Sequence, residues 1–316
     1  MFFELANNRR HPAALGMLLF LLVFGNCVAA PLKIAIASDS TAANFPPSDA
    51  GHRWGWGQAL PEYFTTNIIV TNLAASGRSS KSFYDEGKWA NCLATHADYY
   101  FIQFGHNDDD PTATNTFTDP QTTFKGYLSN YVAQARAQGG IPVFLTPPTR
   151  RNYSSEHVVK MDTLQPYAQA MRELGAVMSV PVLDELPSSI DFFQFVGKTS
   201  APFYQADKVG PPVLTNADTT HFSPAGARQH CYLIMDSLLT STNSELTALQ
   251  NEVQMKGILV QATLQSTGSL QFQGSYDLTN SWQSYGSSTQ RPPATISRYL
   301  YILGPPKEFF RAKITQ

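Results

Sequence analysis

The chain has 316 residues, of which 43% are apolar, and its formal net charge is -2. This length and composition are those of a globular protein with room for one large domain and a small one. A net charge so close to zero offers no extended basic surface, so we expect neither nucleic acid nor an anionic membrane as a partner.

The first thirty residues have the features of a secretory leader. Arg9 and Arg10 precede the apolar run Ala13–Gly25, and the small residues Cys27-Val28-Ala29-Ala30 follow it. The run is shorter than the roughly 20 residues that a membrane span needs, which favours a cleaved signal peptide at 1–30 over a retained anchor. We therefore expect a secreted or periplasmic protein without membrane attachment after cleavage.

From Pro31 onward, short apolar runs alternate with stretches of helical periodicity. The predicted strands are Leu32–Ala37, Ile68–Leu73, Tyr99–Phe104, Ile141–Thr146 and Val180–Asp184. The predicted helices are Gln58–Phe64, Phe83–Leu93, Phe124–Ala137, Met161–Met178 and Ser223–Leu239. This alternation predicts an α/β fold, in which helices cover both faces of a five-stranded parallel sheet.

The pattern changes after the last of these helices. A main domain at 31–242 is followed by a linker with a short helix at 243–256 and by a small β-rich module at 257–316. The strands predicted in this module are Ile258–Gln265, Leu270–Tyr276, Ser297–Leu303 and Phe309–Ile314.

Two cysteines remain beyond the leader, Cys92 and Cys231. Outside the cytoplasm they can form a disulfide. Cys231 shares an apolar helical face with Ile234 and Leu238, which favours two buried thiols instead. The sequence leaves both alternatives open.

Polar motifs follow the predicted strands. In parallel sheets, ligands bind where the carboxyl ends of the strands meet. The motifs are Ser38-Asp39-Ser40, Asn72–Ser79, Gly105-His106-Asn107-Asp108, Arg150-Arg151 and, before the last helix, Asp218-Thr219-Thr220-His221. Their common position after strands predicts one site at that edge.

The motifs contain the parts of a serine hydrolase. Ser40 is the candidate nucleophile, His221 the general base and Asp218 the carboxylate that orients it. A capping Asp beside a surface His is the simpler interpretation of Asp218-x-x-His221 alone. Oxyanion donors would be the N–H groups of Ser40 and Gly77 and the side chain of Asn107. Gly77 can equally be a turn glycine, and Asn107 can form an Asx-turn.

Several other polar residues have two interpretations. Arg78, Arg150 and Arg151, with Lys81, either are solvated or form a basic patch that binds substrate carboxylates. Asp39 is expected to fix the turn around Ser40 or to cap a helix, and His106 to be a loop histidine rather than a second base. A solvated loop is favoured for Asp108–Asp110 over a metal site.

Together the motifs resemble the four blocks of the SGNH (GDSL-type) hydrolases, in family order and over about 31–239. The narrower resemblance is to rhamnogalacturonan acetylesterases. It is carried by Asp39-Ser40-Thr41-Ala42, Gly55-Trp56-Gly57-Gln58, Gly77-Arg78-Ser79-Ser80-Lys81-Ser82-Phe83, Glu86-Gly87-Lys88-Trp89, Ile102-Gln103-Phe104-Gly105-His106-Asn107-Asp108 and Thr146-Pro147-Pro148-Thr149-Arg150-Arg151.

The resemblance implies a flavodoxin-like three-layer α/β/α sandwich with no metal or organic cofactor. By position, Ser40 matches the family's nucleophile, His221 its base and Asp218 the partner of that base. Gly77 and Asn107 match the family's oxyanion-hole residues. One position departs from the family: Ser38 stands where the family has glycine, and a Cβ there narrows the turn before Ser40.

We therefore expect a secreted, monomeric serine esterase that deacetylates plant cell-wall polysaccharide, with acetylated rhamnogalacturonan or pectin as the leading substrate. The alternative substrates are acetylxylan and other acetylated glycans. A different alternative is a non-catalytic carbohydrate-binding protein on the same fold, suggested by Ser38 and by the aromatic residues Tyr276, Trp282 and Tyr285.

Overall fold

A computed structural model of the chain describes residues 30–161, 163–207 and 217–254, and five strands beyond them. The predicted leader lies outside the described residues except for Ala30, so it stays a prediction. In these described parts of the chain, no helix is both long and apolar enough to cross a membrane.

The first strand begins at Leu32. Up to residue 254 the strands are β1 (Leu32–Ala37), β2 (Ile68–Asn72), β3 (Tyr99–Ile102), β4 (Ile141–Leu145), β5 (Tyr153–Ser155), β6 (Val158–Val159), β7 (Val182–Leu183), β8 (Gln205–Asp207) and β9 (Ala217–Phe222). A parallel five-stranded sheet has the order β2-β1-β3-β4-β7. This confirms the predicted sheet, and β1 has the predicted ends.

Helices cover both faces of the sheet. They are α1 (Trp56–Ala59), α2 (Ser80–Asp85), α3 (Lys88–Leu93), α4 (Thr123–Ala137), α5 (Gln165–Met178), α6 (Glu185–Val196), α7 (Pro224–Thr240) and α8 (Thr247–Gln250). Side chains alternate along a strand. Ile34 and Ile36 of β1 therefore pack with α1 and α7, whereas Ala35 and Ala37 pack on the other face with α2 to α5. The α/β/α sandwich is confirmed.

Two helices differ from the prediction. One helix is expected over Phe83–Leu93, but the chain forms α2 and α3, separated at Gly87 with a left-handed φ of +73°. Glycine adopts this conformation without the steric cost of a Cβ. Helix α6 is missing from the prediction because Pro187, Ser188 and Ser189 interrupt its apolar pattern. Proline is tolerated there because it lies in the first turn.

Both described cysteines are free and fully buried. Cys92 lies in α3 on one face of the sheet, and Cys231 lies in α7 on the other. The favoured interpretation of two buried thiols is confirmed, and burial raises the pKa of Cys92 to about 12. The Cys231 thiol donates a hydrogen bond to the carbonyl of Trp56 at 2.8 Å.

The C-terminal part has the predicted β character. Its strands are β10 (Gly257–Leu264), β11 (Gly268–Ser275), β12 (Gln283–Gln290), β13 (Ala294–Tyr301) and β14 (Phe309–Thr315). β10 pairs with β13, and β11 pairs with both β12 and β14, all antiparallel. β12 is missing from the prediction because its Ser- and Gln-rich sequence has no apolar alternation. Tyr276 and Trp282 lie outside the described residues, and the domain boundaries stay predictions.

Candidate active site

The turn after β1 carries Ser40 at the carboxyl edge of the sheet. The Asp39 carboxylate accepts hydrogen bonds from the N–H of Thr41 at 2.8 Å and from its hydroxyl at 2.7 Å. Burial opposes ionisation of Asp39, but His106, whose Nδ1 lies 3.6 Å from its carboxylate, and Thr41 outweigh burial and lower the pKa of Asp39. Asp39 is thus placed to fix the turn, as predicted.

Ser40, His221 and Asp218 form one chain of hydrogen bonds. His221 Nε2 lies 2.8 Å from Ser40 Oγ, and His221 Nδ1 lies 2.8 Å from Asp218 Oδ2. The other carboxylate oxygen accepts the N–H groups of Thr220 at 2.7 Å and of His221 at 3.1 Å. Asp218 therefore contacts both the ring and the backbone of His221, and the structure brings the three predicted residues together.

This geometry suits general-base activation of a serine. Burial opposes ionisation of Asp218, but the hydrogen bonds from the His221 ring and from the two N–H groups outweigh it and hold the Asp218 pKa below its ordinary value. An ionised Asp218 accepts a hydrogen bond from the Nδ1–H group of His221, which leaves Nε2 unprotonated and able to take the proton of Ser40. The arrangement can therefore generate a nucleophilic alkoxide during attack on an ester.

Three candidate oxyanion donors surround the turn. Gly77 follows β2 with a φ of +75°, and a Cβ there would have no atom within 4 Å, so the backbone conformation is what favours glycine. Among the described residues, nothing accepts a hydrogen bond from the N–H of Gly77 or of Ser40. Asn107 Nδ2 donates to the Arg78 carbonyl at 3.1 Å, which leaves its second amide hydrogen for a ligand.

Ser38 is accommodated by a buried glutamine that the sequence reasoning missed. Gln103 Oε1 accepts hydrogen bonds from Ser38 Oγ at 3.1 Å, from Thr41 Oγ1 at 2.9 Å and from Trp56 Nε1 at 2.8 Å. Because an indole N–H can only donate, Trp56 fixes the orientation of the Gln103 amide. Ser38 also has no positive φ. The only sequence signal for Gln103 is a polar residue at the end of an apolar strand.

The three predicted substrate arginines have different surroundings. Arg78 is partly exposed and pairs with Glu86 at 3.0 Å. Arg150 pairs with Asp109 at 2.8 Å, and its Nη2 donates to the His106 carbonyl at 2.9 Å. Both lie at the edge that carries the site, and their substrate contacts stay predictions.

Arg151 does not lie in an exposed basic patch. Only 2% of it is exposed, and its guanidinium donates to the carbonyls of Tyr204 at 3.3 Å, of Asp218 at 3.0 Å and of His221. Burial lowers its pKa to about 9, so it stays protonated at neutral pH. The expectation of an accessible substrate arginine at this position is corrected: Arg151 holds the backbone of Asp218 and His221 in β9.

The loop between β1 and α1 adds a wall that the sequence reasoning missed. The ring of Phe45 lies edge-on to the His221 ring, with 6.5 Å between the ring centroids. Arg53 lies 4.6 Å over Phe45 and pairs with Asp49 at 2.7 Å. The loop therefore covers one side of His221, and its irregular sequence has no periodicity that could indicate this.

The Asp108–Asp110 segment is only partly a solvated loop. Asp110 is exposed and accepts the N–H of Thr112 at 2.9 Å. Asp108 is fully buried and accepts hydrogen bonds from Ser80 and Thr118. It therefore connects the loop after β3 to the start of α2. Among the described residues, no group of three or more His, Cys, Asp or Glu side chains could hold a metal ion.

Comparison with known sequences points to one group of proteins. The model of the GDSL-like lipase/acylhydrolase family matches residues 39–229. The chain is 34% identical over 203 residues to the "Probable rhamnogalacturonan acetylesterase YesY" of Bacillus subtilis, a match covering 64% of this chain and 89% of that protein. It is 32% identical over 215 residues to "Rhamnogalacturonan acetylesterase RhgT" of the same species, covering 66% and 90%.

A solved structure supports the fold alone. The crystal structure of the protein YXIM from Bacillus subtilis superposes with a TM-score of 0.56 at 24% sequence identity. The match covers 66% of this chain and 56% of that one, so this chain spans little more than half of the solved protein.

Proposed function

The chain belongs to the GDSL-like lipase/acylhydrolase family, and from this membership we propose that it is a serine esterase that removes acetyl groups from plant cell-wall polysaccharide. The observation that carries the proposal is the hydrogen-bonded chain from Asp218 through His221 to Ser40, with free N–H groups nearby. Acetylated rhamnogalacturonan is the proposed substrate, because two relatives bear that activity in their names.

The proposed mechanism forms an acetyl-enzyme. His221 Nε2 takes the proton of Ser40 as Oγ attacks the acetyl carbonyl carbon, while Asp218 stabilises the imidazolium. The negative oxygen is stabilised by the N–H groups of Ser40 and Gly77 and by the Asn107 amide. The imidazolium then protonates the sugar oxygen as the C–O bond breaks. Water, deprotonated by His221, attacks the acetyl carbonyl carbon, and the imidazolium returns a proton to Ser40 Oγ as the bond to the acetyl group breaks and acetate leaves.

The setting of this activity is also proposed. Residues 1–30 would direct export, and the mature enzyme would act as a monomer on polymer outside the cytoplasm. The polymer is the only partner that the mechanism requires.

Ser40→Ala is expected to lower kcat for acetate release by roughly 10⁴–10⁶-fold, because the nucleophile is lost. Acetate would be measured from acetylated rhamnogalacturonan, from acetylxylan and from a chromogenic acetate ester. Ser244→Ala is the matched control, since Ser244 is exposed in the segment after α7, outside the candidate site. Near-normal turnover by Ser40→Ala would refute the mechanism. A wild type that binds glycan but hydrolyses no ester would establish the non-catalytic alternative, and a preference for acetylxylan would replace the proposed polymer.

A further inference from the structure

A cavity of about 610 Å³ lies on the side of the candidate active site where β4 ends. The segment after β4 and the β5–β6 hairpin form its wall, and its lining includes Arg150, Asn152, Tyr153, Lys160 and Met161. Its volume is within the range of small-molecule sites, about 300–1,000 Å³. Neither Ser40 nor His221 lines it, so the proposed chemistry leaves it unexplained.

The wall of the cavity is continuous with the site. Arg150 donates to the carbonyl of His106, the residue before Asn107. The N–H of Arg151 donates to the Thr219 carbonyl at 3.0 Å, between Asp218 and His221. The Arg150-Arg151 segment therefore lies between the loop of one oxyanion donor and β9, the strand that carries the base. A polymer bound across Ser40 can extend over this segment into the cavity.

The charge of the cavity wall favours an anion. Arg150 and Lys160 both line it, and the Arg150 guanidinium already pairs with Asp109. Lys160 is exposed, and among the described carboxylates none forms an ion pair with its ammonium group. An ammonium group at the rim of a concave surface attracts a carboxylate and can pair with it.

The remaining lining suits a ring rather than a small ion. The Tyr153 hydroxyl donates to the Phe193 carbonyl at 2.7 Å, which fixes its half-buried ring at the cavity wall. Met161 is 73% exposed beside it. Apolar surface with a few polar groups is the composition of sites for organic ligands, and the C–H face of a sugar ring fits such a surface.

We propose that this cavity is a subsite for a negatively charged sugar of the substrate, with Lys160 pairing with its carboxylate and Tyr153 lying against its ring. The subsite presupposes the proposed function, which supplies the polysaccharide. It specifies the substrate class as a glycan that carries a uronic acid near the acetylated residue. Arg150 supports the wall through Asp109 and His106, so Lys160 is the residue whose change reports on the subsite alone.

Lys160→Glu is the test, with Lys33→Glu as the matched control. Lys33 is also exposed, and the charge change is the same, but it lies at the opposite end of β1 from Ser40. Three substrates are compared: an acetylated rhamnogalacturonan oligosaccharide, the same oligosaccharide with its carboxyl groups methyl-esterified, and p-nitrophenyl acetate. In Lys160→Glu, kcat/KM for the anionic oligosaccharide should fall about tenfold or more, through KM. The other two substrates, and all three with Lys33→Glu, should stay within about twofold.

Equal losses on all three substrates, or no loss on the anionic one, would overturn the subsite. Binding gives a readout that needs no turnover. A deacetylated rhamnogalacturonan oligosaccharide is titrated calorimetrically into Ser40→Ala and into Ser40→Ala/Lys160→Glu, and the second should bind it about tenfold more weakly. Failure of the wild type to release acetate from any glycan would refute the proposed function, whereas unchanged binding in the double variant would refute the subsite.

Discussion

Arg150 and Arg151 are adjacent in sequence, yet their side chains meet different surroundings. Arg150 reaches Asp109 and the carbonyl of His106. Arg151 turns inward to three carbonyls, two of which belong to Asp218 and His221. Since the imidazole can reach Ser40 only if its backbone is held, Arg151 is a positioning residue for the base.

Arg151→Met should lower kcat for p-nitrophenyl acetate by roughly 10- to 100-fold with little change in KM. It removes the guanidinium hydrogen bonds to the Asp218 and His221 carbonyls, each at a cost of up to about 1–3 kcal/mol, and so loosens the strand that carries the base. Arg151→Lys should recover part of kcat, because an ammonium group keeps the charge but lacks the planar fork. Arg136→Lys, on an exposed arginine whose guanidinium donates to the Ser179 carbonyl at 3.0 Å, should be neutral. A variant with normal kcat and a raised KM for anionic glycan alone would restore the substrate role expected from the sequence.

The roles of single residues were predictable where the reaction requires one particular type of side chain. A serine after a strand, with Asp-x-x-His before a helix, has few other uses in combination, and the structure joins these residues. Arg151 was misinterpreted because its burial depends on carbonyls from distant segments. Gln103 was missed for the same reason: its partners Ser38 and Trp56 are 65 and 47 positions away.

At the scale of elements, the start of α1 packs directly on the nucleophile turn. The Gly55 N–H donates to the Ala43 carbonyl at 3.1 Å, and the Trp56 N–H donates to the Thr41 carbonyl at 2.9 Å. A Cβ on Gly55 would lie 2.2 Å from the carbonyl carbon of Ala42. Backbone therefore meets backbone here, with no flexible side chain that could move aside.

Gly55→Ala should displace the Ser40 turn, with a loss of about 1–3 kcal/mol in the free energy of unfolding and at least a tenfold loss in kcat. Urea denaturation and ester hydrolysis measure the two effects. Gly126→Ala is the control, because a Cβ there meets nothing within 4 Å and alanine is favoured in a helix interior by about 0.5–1 kcal/mol. Wild-type kcat in Gly55→Ala would show that the turn tolerates a shift of α1.

Element prediction succeeded where burial imposes a pattern. Leu32–Ala37 is apolar except for Lys33, and the polar residues after it end the strand at the predicted place. The break at Gly87 depends on one backbone conformation inside an otherwise helical pattern, so periodicity could not reveal it. β12 pairs with β11, but its sequence is polar and leaves no apolar alternation to detect.

At the scale of the whole molecule, the pH dependence of stability reflects buried carboxyl groups. Burial raises the pKa of Asp108 to about 7, although hydrogen bonds from Ser80 and Thr118 oppose the effect. Unfolded Asp108 ionises near pH 4. Between about pH 4 and 7 the unfolded state therefore binds fewer protons than the folded state, and the free energy of unfolding falls as pH rises through this window.

Asp108→Asn removes this titration, so the stability advantage of the wild type over the variant should shrink by up to about 4 kcal/mol between pH 4 and pH 8. Urea denaturation of both proteins at several pH values measures the difference. The neighbouring Asp110→Asn, at an exposed site, should show no such trend across pH 5–8. If the free energy of unfolding changed with pH in the same way in the wild type and in Asp108→Asn, Asp108 would ionise normally in the folded protein.

The enzyme class and the fold were predictable from the order of the strands and from the polar motifs that follow them. The family match confirms the predicted hydrolase of carboxylic esters, and the parallel sheet confirms the predicted fold. Export, the polymer and the domain boundaries depend on segments or partners that the described residues do not contain, and they stay proposals.

The two buried thiols make each face of the sheet separately observable. A thiol reagent can reach Cys92 only when α3 lifts from one face, and it can reach Cys231 only when α7 lifts from the other. Native-state labelling, resolved by peptide mass, would therefore time the local opening of each layer independently. Each thiol is thus a built-in probe of local opening on its own face of the sheet. Cys231, which donates to the Trp56 carbonyl, also lies near the turn that holds Ser40, so its labelling reports on motion next to the candidate active site.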